Sequence, residues 1–216
     1  MRKLYKIFSK FIIFTLFSFL STVHANNINS EINSYINNIK TLAIEFKQQD
    51  SNGNEASGML ILDKPHKFRC NYYAPYPLLI VGNRNYISIY DFEMKNLTRI
   101  KAKRNPFNFL LLDNSQAKQQ FRIVSTNETN KAYKVRLQDL SSKKFSEVTF
   151  DKINKSIALL KIFEEDNIIT LTFGKNFEII SPEASLFILK DPDLFGRPSR
   201  LGKKDLYKIL GVLTES

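Results

Sequence analysis

The sequence predicts a mainly β fold with a few helices, an antiparallel sheet, meander or barrel carrying two helices on one side. Three observations predict it. Apolar residues alternate with polar ones in many short runs after residue 41. Short turn signals separate those runs. Two apolar segments break the alternation and read as helices.

The first of these helices is 26–40. Ile28, Ile32, Tyr35, Ile36 and Ile39 recur at three- and four-residue spacing and form one apolar stripe, with Asn27 or Ser30 placed to cap it. The period then changes to two. Leu42, Ile44 and Phe46 alternate with Ala43, Glu45 and Lys47, and Asn52-Gly53-Asn54 supplies a hairpin turn. The stretch 58–62 is apolar on both faces and stops at Asp63-Lys64-Pro65. Phe68, Cys70 and Tyr72 alternate again, and 78–81 and 86–90 form a hairpin around Gly82-Asn83. Further strands are expected at 121–123, 133–137, 145–151, 157–163 and 168–173. The second helix starts where Asn105 precedes Pro106 at a first helical position, and it carries Phe107, Phe109, Leu110, Leu111 and Leu112. Both helices are expected over one face of a curved sheet. From about residue 191 the chain is irregular, with a short helix at 203–210 and no role assigned.

Composition narrows the function. Arg2, Lys3, Lys6 and Lys10 precede the apolar run 11–20, and Val23-His24-Ala25 resembles a cleavage site. Residues 1–25 therefore read as a signal peptide, and the protein is expected in the periplasm. Loss of the signal peptide's four cations lowers the charge from +11 to +7 and leaves 26–216 as one domain. Export argues against nucleic acid as the partner of this basic surface. The lone Cys70 makes no internal disulfide, and residue 26 is Asn, so no lipid-bearing cysteine follows the cleavage site.

His66 is the single histidine of the mature chain. With no clustered ligands, no nucleophile elbow and no phosphate loop, neither an enzyme, a metal site nor a cofactor is expected. The 18 Phe and nine Tyr suit either a filled core or an apolar slot.

A resemblance adds to this reading. The segments F-K-Q-Q from Phe46, G-M-L-I-L-D-K-P-H-K-F-R-C-N-Y-Y-A-P from Gly58, and L-L-I-V-G-N-R-N-Y-I-S-I-Y-D from Leu78 resemble the LolA family pattern. Asn105-Pro106-Phe107 and the following leucines resemble that family's second helix. Cys70 stands where the family commonly has Trp, Ser88 replaces an aromatic, and Lys64 stands where an Arg often precedes the Pro.

The resemblance implies an incomplete antiparallel β-barrel with the two helices as a lid, and a periplasmic carrier, acting as a monomer, whose lidded apolar cavity shelters lipoprotein acyl chains on the way to the outer membrane. Its implied partners are an inner-membrane ATP-driven (ABC-type) exporter and an outer-membrane acceptor. On that reading Phe46, Leu60, Phe68, Tyr72, Ile87 and Ile89 line the slot. Phe107, Phe109 and Leu110 lie on the lid, and Lys64 or Arg69 is the basic residue that closes it. The alternative is a periplasmic regulatory sensor of the same fold, although such sensors usually carry a second domain.

Overall fold

The structure is a computed structural model. It describes residues 31–34, 36, 38–102, 108–112, 117, 119–177, 179 and 181–212. The signal peptide expected at 1–25, the start of the first helix and Phe107 lie outside the described residues.

Eleven strands form one antiparallel sheet: β1 (Thr41–Gln49), β2 (Glu55–Asp63), β3 (Lys67–Tyr72), β4 (Leu78–Gly82), β5 (Tyr86–Asp91), β6 (Asn96–Lys101), β7 (Phe121–Glu128), β8 (Ala132–Asp139), β9 (Phe145–Asp151), β10 (Ser156–Phe163) and β11 (Ile168–Phe177). Their order is β6-β5-β4-β3-β2-β1-β11-β10-β9-β8-β7. The sheet does not close, since β6 and β7 are its two edges, and the expected incomplete barrel is the observed fold. These edge strands follow each other in the chain but lie at opposite margins, so residues 102–120 have to join one margin to the other.

Every expected strand is present, and β6 is an addition. Its apolar residues Leu97 and Ile100 are three apart rather than two, and most of the strand is exposed. An edge strand with little to bury has no alternation to display. The first hairpin turns at Gly53, whose φ of 81° suits a residue without Cβ. Asp50 accepts the backbone N–H groups of Asn52 and Asn54 at 2.9 Å, which secures this turn.

Two apolar clusters sandwich one half of the sheet. On the inner face, Leu42, Ile44, Phe46, Leu60, Leu62, Phe68, Cys70, Tyr72 and Ile87 join the inward residues of β8–β11. Two helices lie on that face. In α1, residues 31–34, 36 and 38 are helical, with Ile32 buried and Ile36 and Ile39 packed against the cluster. All four residues of α2 (Asn108–Leu111) are buried.

On the outer face, Ala43, Met59, Ile61, Leu79, Val81 and Tyr90 pack against the C-terminal segment through Ile179, Leu186, Phe187, Leu206 and Tyr207. That segment holds a 3-10 turn (Ala184–Phe187), α3 (Pro192–Phe195) and α4 (Lys203–Ile209). Asp205 accepts the Gly202 N–H at 2.8 Å and caps α4. The stretch 58–62 is apolar on both sides because it has two covers, the helices inside and this tail outside.

The tail is pinned by polar contacts as well. Asn71 donates to Leu201 O at 2.9 Å, and Arg200 donates to Pro75 O and Tyr76 O at 3.0 and 2.6 Å. Glu45 accepts from the Tyr207 hydroxyl and pairs with Lys203, each at 2.6 Å. The region expected to be an irregular tail is thus a second layer of the fold.

Candidate functional site

Register places the inner-face residues in three cross-strand rows. Leu42, Leu62, Phe68, Gly82 and Ile87 form one. Ile44, Leu60, Cys70, Ile80 and Ile89 form the next, and Phe46, Gly58 and Tyr72 the third. All six residues expected to line a slot therefore share one face. Phe46, Leu60, Phe68, Tyr72 and Ile87 are buried, and Ile89 is half-buried against the same cluster.

Glycines make room for the rings in two of these rows. A Cβ on Gly58 would come within 2.8 Å of the Phe46 ring, and one on Gly82 within 1.8 Å of the Phe68 ring. The Phe46 and Tyr72 rings meet edge to face at 5.3 Å. The Tyr72 hydroxyl donates to Gln48 at 2.7 Å, so its one polar atom is satisfied at the rim. Burial pushes the Tyr72 phenol well above its ordinary range and pushes the Cys70 thiol up to about 12. At neutral pH Cys70 is a small buried apolar group, not a nucleophile.

Phe109 and Leu110, expected on the lid, are buried in this same cluster, and the Phe109 ring meets Phe121 at 6.4 Å. The turn after β2 touches both helices. The Lys64 ammonium donates to Ile36 O in α1 at 2.5 Å, and the His66 N–H donates to Leu111 O in α2 at 3.4 Å. Arg69 does not take part in this arrangement. It pairs with Ile61 and Val81 on the outer face, where it donates to Leu186 O and Asn71 at 3.2 Å each. Alternation along β3 sends Arg69 to the opposite side from Phe68 and Cys70, and Arg69 as a lid-closing residue is corrected accordingly. Burial lowers its guanidinium to about 10.

Between α1 and the ends of β1, β8 and β9 lies a cavity of about 1120 Å³. Ile32, Ile39, Leu42, Tyr133 and Phe150 supply its apolar lining, and Lys40, Lys152, Lys155, Glu31 and Glu128 its polar rim. The Tyr133 hydroxyl donates to Glu31 of α1 at 2.5 Å, while Lys152 lies 4.4 Å from the Tyr133 ring and pairs with Glu128 at 2.5 Å. The bond to Glu31, first among its causes, raises the Tyr133 phenol. Sequence reasoning missed these residues as site residues. The alternation of Tyr133, Val135 and Leu137 marked a strand, but recognisable motif residues ended near 112.

The arrangement is an apolar wall under helices, with no grouping of His, Cys, Asp or Glu fit to hold a metal ion among the described residues. No helix among them is long and apolar enough to cross a membrane.

The chain is similar to known proteins. The family described as "Outer membrane lipoprotein carrier protein LolA" matches residues 37–190. An uncharacterised protein of Rickettsia prowazekii is 41% identical over 193 residues, covering 88% of this chain and 91% of its own. The outer-membrane lipoprotein carrier protein of Nitrosospira multiformis is 35% identical over 99 residues, covering 43% of this chain and 47% of its own. That of Chromobacterium violaceum is 37% identical over 73 residues, or 32% and 35% of the two chains. Among solved structures, a LolA superfamily protein from Nitrosomonas europaea aligns with 76% of this chain and 97% of its own, at 6% identity and a TM-score of 0.45. With a family match running from the end of α1 to the segment before α3, and an inner face built as an apolar wall under helices, the chain belongs to the LolA family of outer membrane lipoprotein carrier proteins.

Proposed function

We propose that this protein is a periplasmic carrier that takes up the acyl chains of lipoproteins released from the inner membrane and delivers them to the outer membrane. The observation that carries the reading is the continuous apolar inner face roofed by α1 and α2, with the cavity opening beside α1. A lipoprotein is held in its membrane because each methylene exposed to water costs about 0.8 kcal/mol. A soluble carrier has to replace that environment with apolar wall. It also has to give the wall up without a nucleotide of its own.

Phe46, Leu60, Phe68, Tyr72, Ile87 and Ile89 form the wall, and Phe109 and Leu110 the inner side of the lid. In the empty protein the lid side chains occupy the space the acyl chains take. Loading exchanges one set of apolar contacts for another, so the net free-energy change is small and transfer is reversible. Lys64 and Tyr133 each hydrogen-bond to α1, contacts that a cover can break and remake as it opens and closes. The partners on this reading are an ATP-driven inner-membrane exporter that loads the carrier and an outer-membrane acceptor that unloads it.

The test is to purify the protein from the cell envelope and identify what co-purifies by denaturing mass spectrometry. Acylated lipoproteins are expected with the native protein and not with Phe68→Glu. Recovery of the native protein free of lipoprotein, together with failure to extract lipoproteins from spheroplasts, refutes the carrier reading.

A further inference from the structure

From the exposed apolar turn in the C-terminal layer we infer that this protein docks on anionic bilayer surfaces through Leu194 and Phe195. The tail packs on the sheet through large apolar side chains, with Leu186, Phe187, Leu206 and Tyr207 buried and Leu189, Leu201 and Leu210 partly so. Leu194 and Phe195 do the opposite, at 77% and 65% exposure, and Ile188 is 58% exposed. Single exposed apolar residues are ordinary, whereas an adjacent pair on an ordered projection is not.

The projection is built to hold its shape. Pro192 opens α3, and Asp191 caps it by accepting the Asp193 N–H at 3.1 Å. The Phe195 N–H donates to Asp191 O at 2.9 Å, and the Gly196 N–H to Pro192 O at 3.0 Å. Gly196 then leaves the turn at a φ of 79°, a conformation that favours glycine. Arg200, held on the carbonyls of Pro75 and Tyr76 and 5.5 Å from the Phe92 ring, fixes the segment that follows. An ordered apolar tip of this kind pays little entropy on insertion.

Charge selects the occupant. Lys190 lies over the Phe195 ring at 5.2 Å, and Arg197 follows the turn on its other side. Lys204 and Lys208 are exposed on α4. Asp193 is the exposed acid within the turn, while the Asp191 carboxylate is engaged in the cap. Apolar tips flanked by cations match the boundary between anionic headgroups and acyl chains, where each feature gains what the other lacks. Two side chains and a few cations give weak, reversible attachment rather than anchoring.

The experiment is co-sedimentation of the protein with vesicles of phosphatidylcholine containing about 30% phosphatidylglycerol, and with phosphatidylcholine alone. The native protein is expected to partition onto the anionic vesicles, and L194S/F195S to lose on the order of tenfold in partition coefficient. Arg197→Glu is expected to weaken binding to the anionic vesicles and leave the zwitterionic baseline unchanged. Both variants change exposed residues, so an unchanged melting temperature confirms that folding is intact. Equal binding of native protein and double variant, or no binding by either, overturns the inference. Concentration-dependent dimerisation that the double variant abolishes also overturns it, by assigning the surface to a second copy.

Discussion

Gly82 is predicted to exist for the sake of Phe68. The two residues face each other across β3 and β4, and a methyl group at Gly82 would sit 1.8 Å from Phe68 Cε1 and 2.4 Å from Cδ1. Relaxed carbon–carbon contact needs about 3.5 Å or more, so Gly82→Ala forces the ring to retreat by well over an ångström. Phe68 is 2% exposed and has neighbours on every side. The cost is therefore placed at the upper end of overpacking, about 3 kcal/mol. Phe68→Leu, which shortens the same side chain, is expected to cost about 1.5 kcal/mol by itself. In the G82A/F68L double variant the methyl occupies part of the space the ring vacates. Its total cost is expected near 2 kcal/mol rather than the sum of about 4.5 kcal/mol. Equilibrium denaturation in urea measures all three. If the double variant loses the full sum to within about 0.5 kcal/mol, the two sites are independent and this account of the row is wrong.

Other consequences can be checked in the same way. Lys64→Met removes the ammonium bonded to Ile36 O; backbone amides of α1 should exchange with deuterium several-fold faster, while global stability falls by about 1 kcal/mol or less. Tyr133→Phe removes the hydroxyl bonded to Glu31, and the same exchange assay should show α1 released further when both changes are combined; no acceleration in either variant would mean that packing alone holds the helix. The folded Cys70 thiol is raised to about 12 by burial, so an alkylating reagent at pH 8 should modify it only as fast as the protein opens. Because the folded pKa lies above the unfolded one, the stability linked to Cys70 is fully present below about pH 9 and is lost as pH rises toward 12; a Cys70→Ala variant should lack that part of the alkaline decline.

Much of this fold was legible in the sequence, because a strand buried on one face has to alternate. Leu42-Ile44-Phe46 and Tyr133-Val135-Leu137 announce both the strands and the inward faces they present. The edge strand β6 has no such obligation, and Leu97 and Ile100 left no periodic trace. The outer layer was half legible. The both-sided apolarity of 58–62 called for a second cover, but nothing in the tail's own pattern tied Leu186, Phe187 and Leu206 to Met59 and Ile61 across more than a hundred residues. Long-range pairing is a property of topology, not of local period.

The same limit applied to the site. The residues expected to line a slot lie in the motif-bearing half of the chain; Tyr133 and Phe150 of β8 and β9 read only as strand residues, and it is the cavity beside α1 that brings them next to Leu42. For Arg69 the alternation rule alone points outward, and the structure agrees with the rule.

The connection between β6 and β7 has a mechanical consequence. Residues 102–120 are tied at one end to the first margin of the sheet and at the other to the second, with α2 in between. The part of the inner cover that carries α2 is thus a strap buckled at both ends rather than a flap hung on one hinge. It cannot be peeled away from a free end; it can only slacken, slide sideways or be drawn taut. Fully extended, it could span at most about 65 Å, so its length caps how far the two margins can spread. Shortening this strap should set a ceiling on the bulk the protein accepts, even with every wall residue left in place.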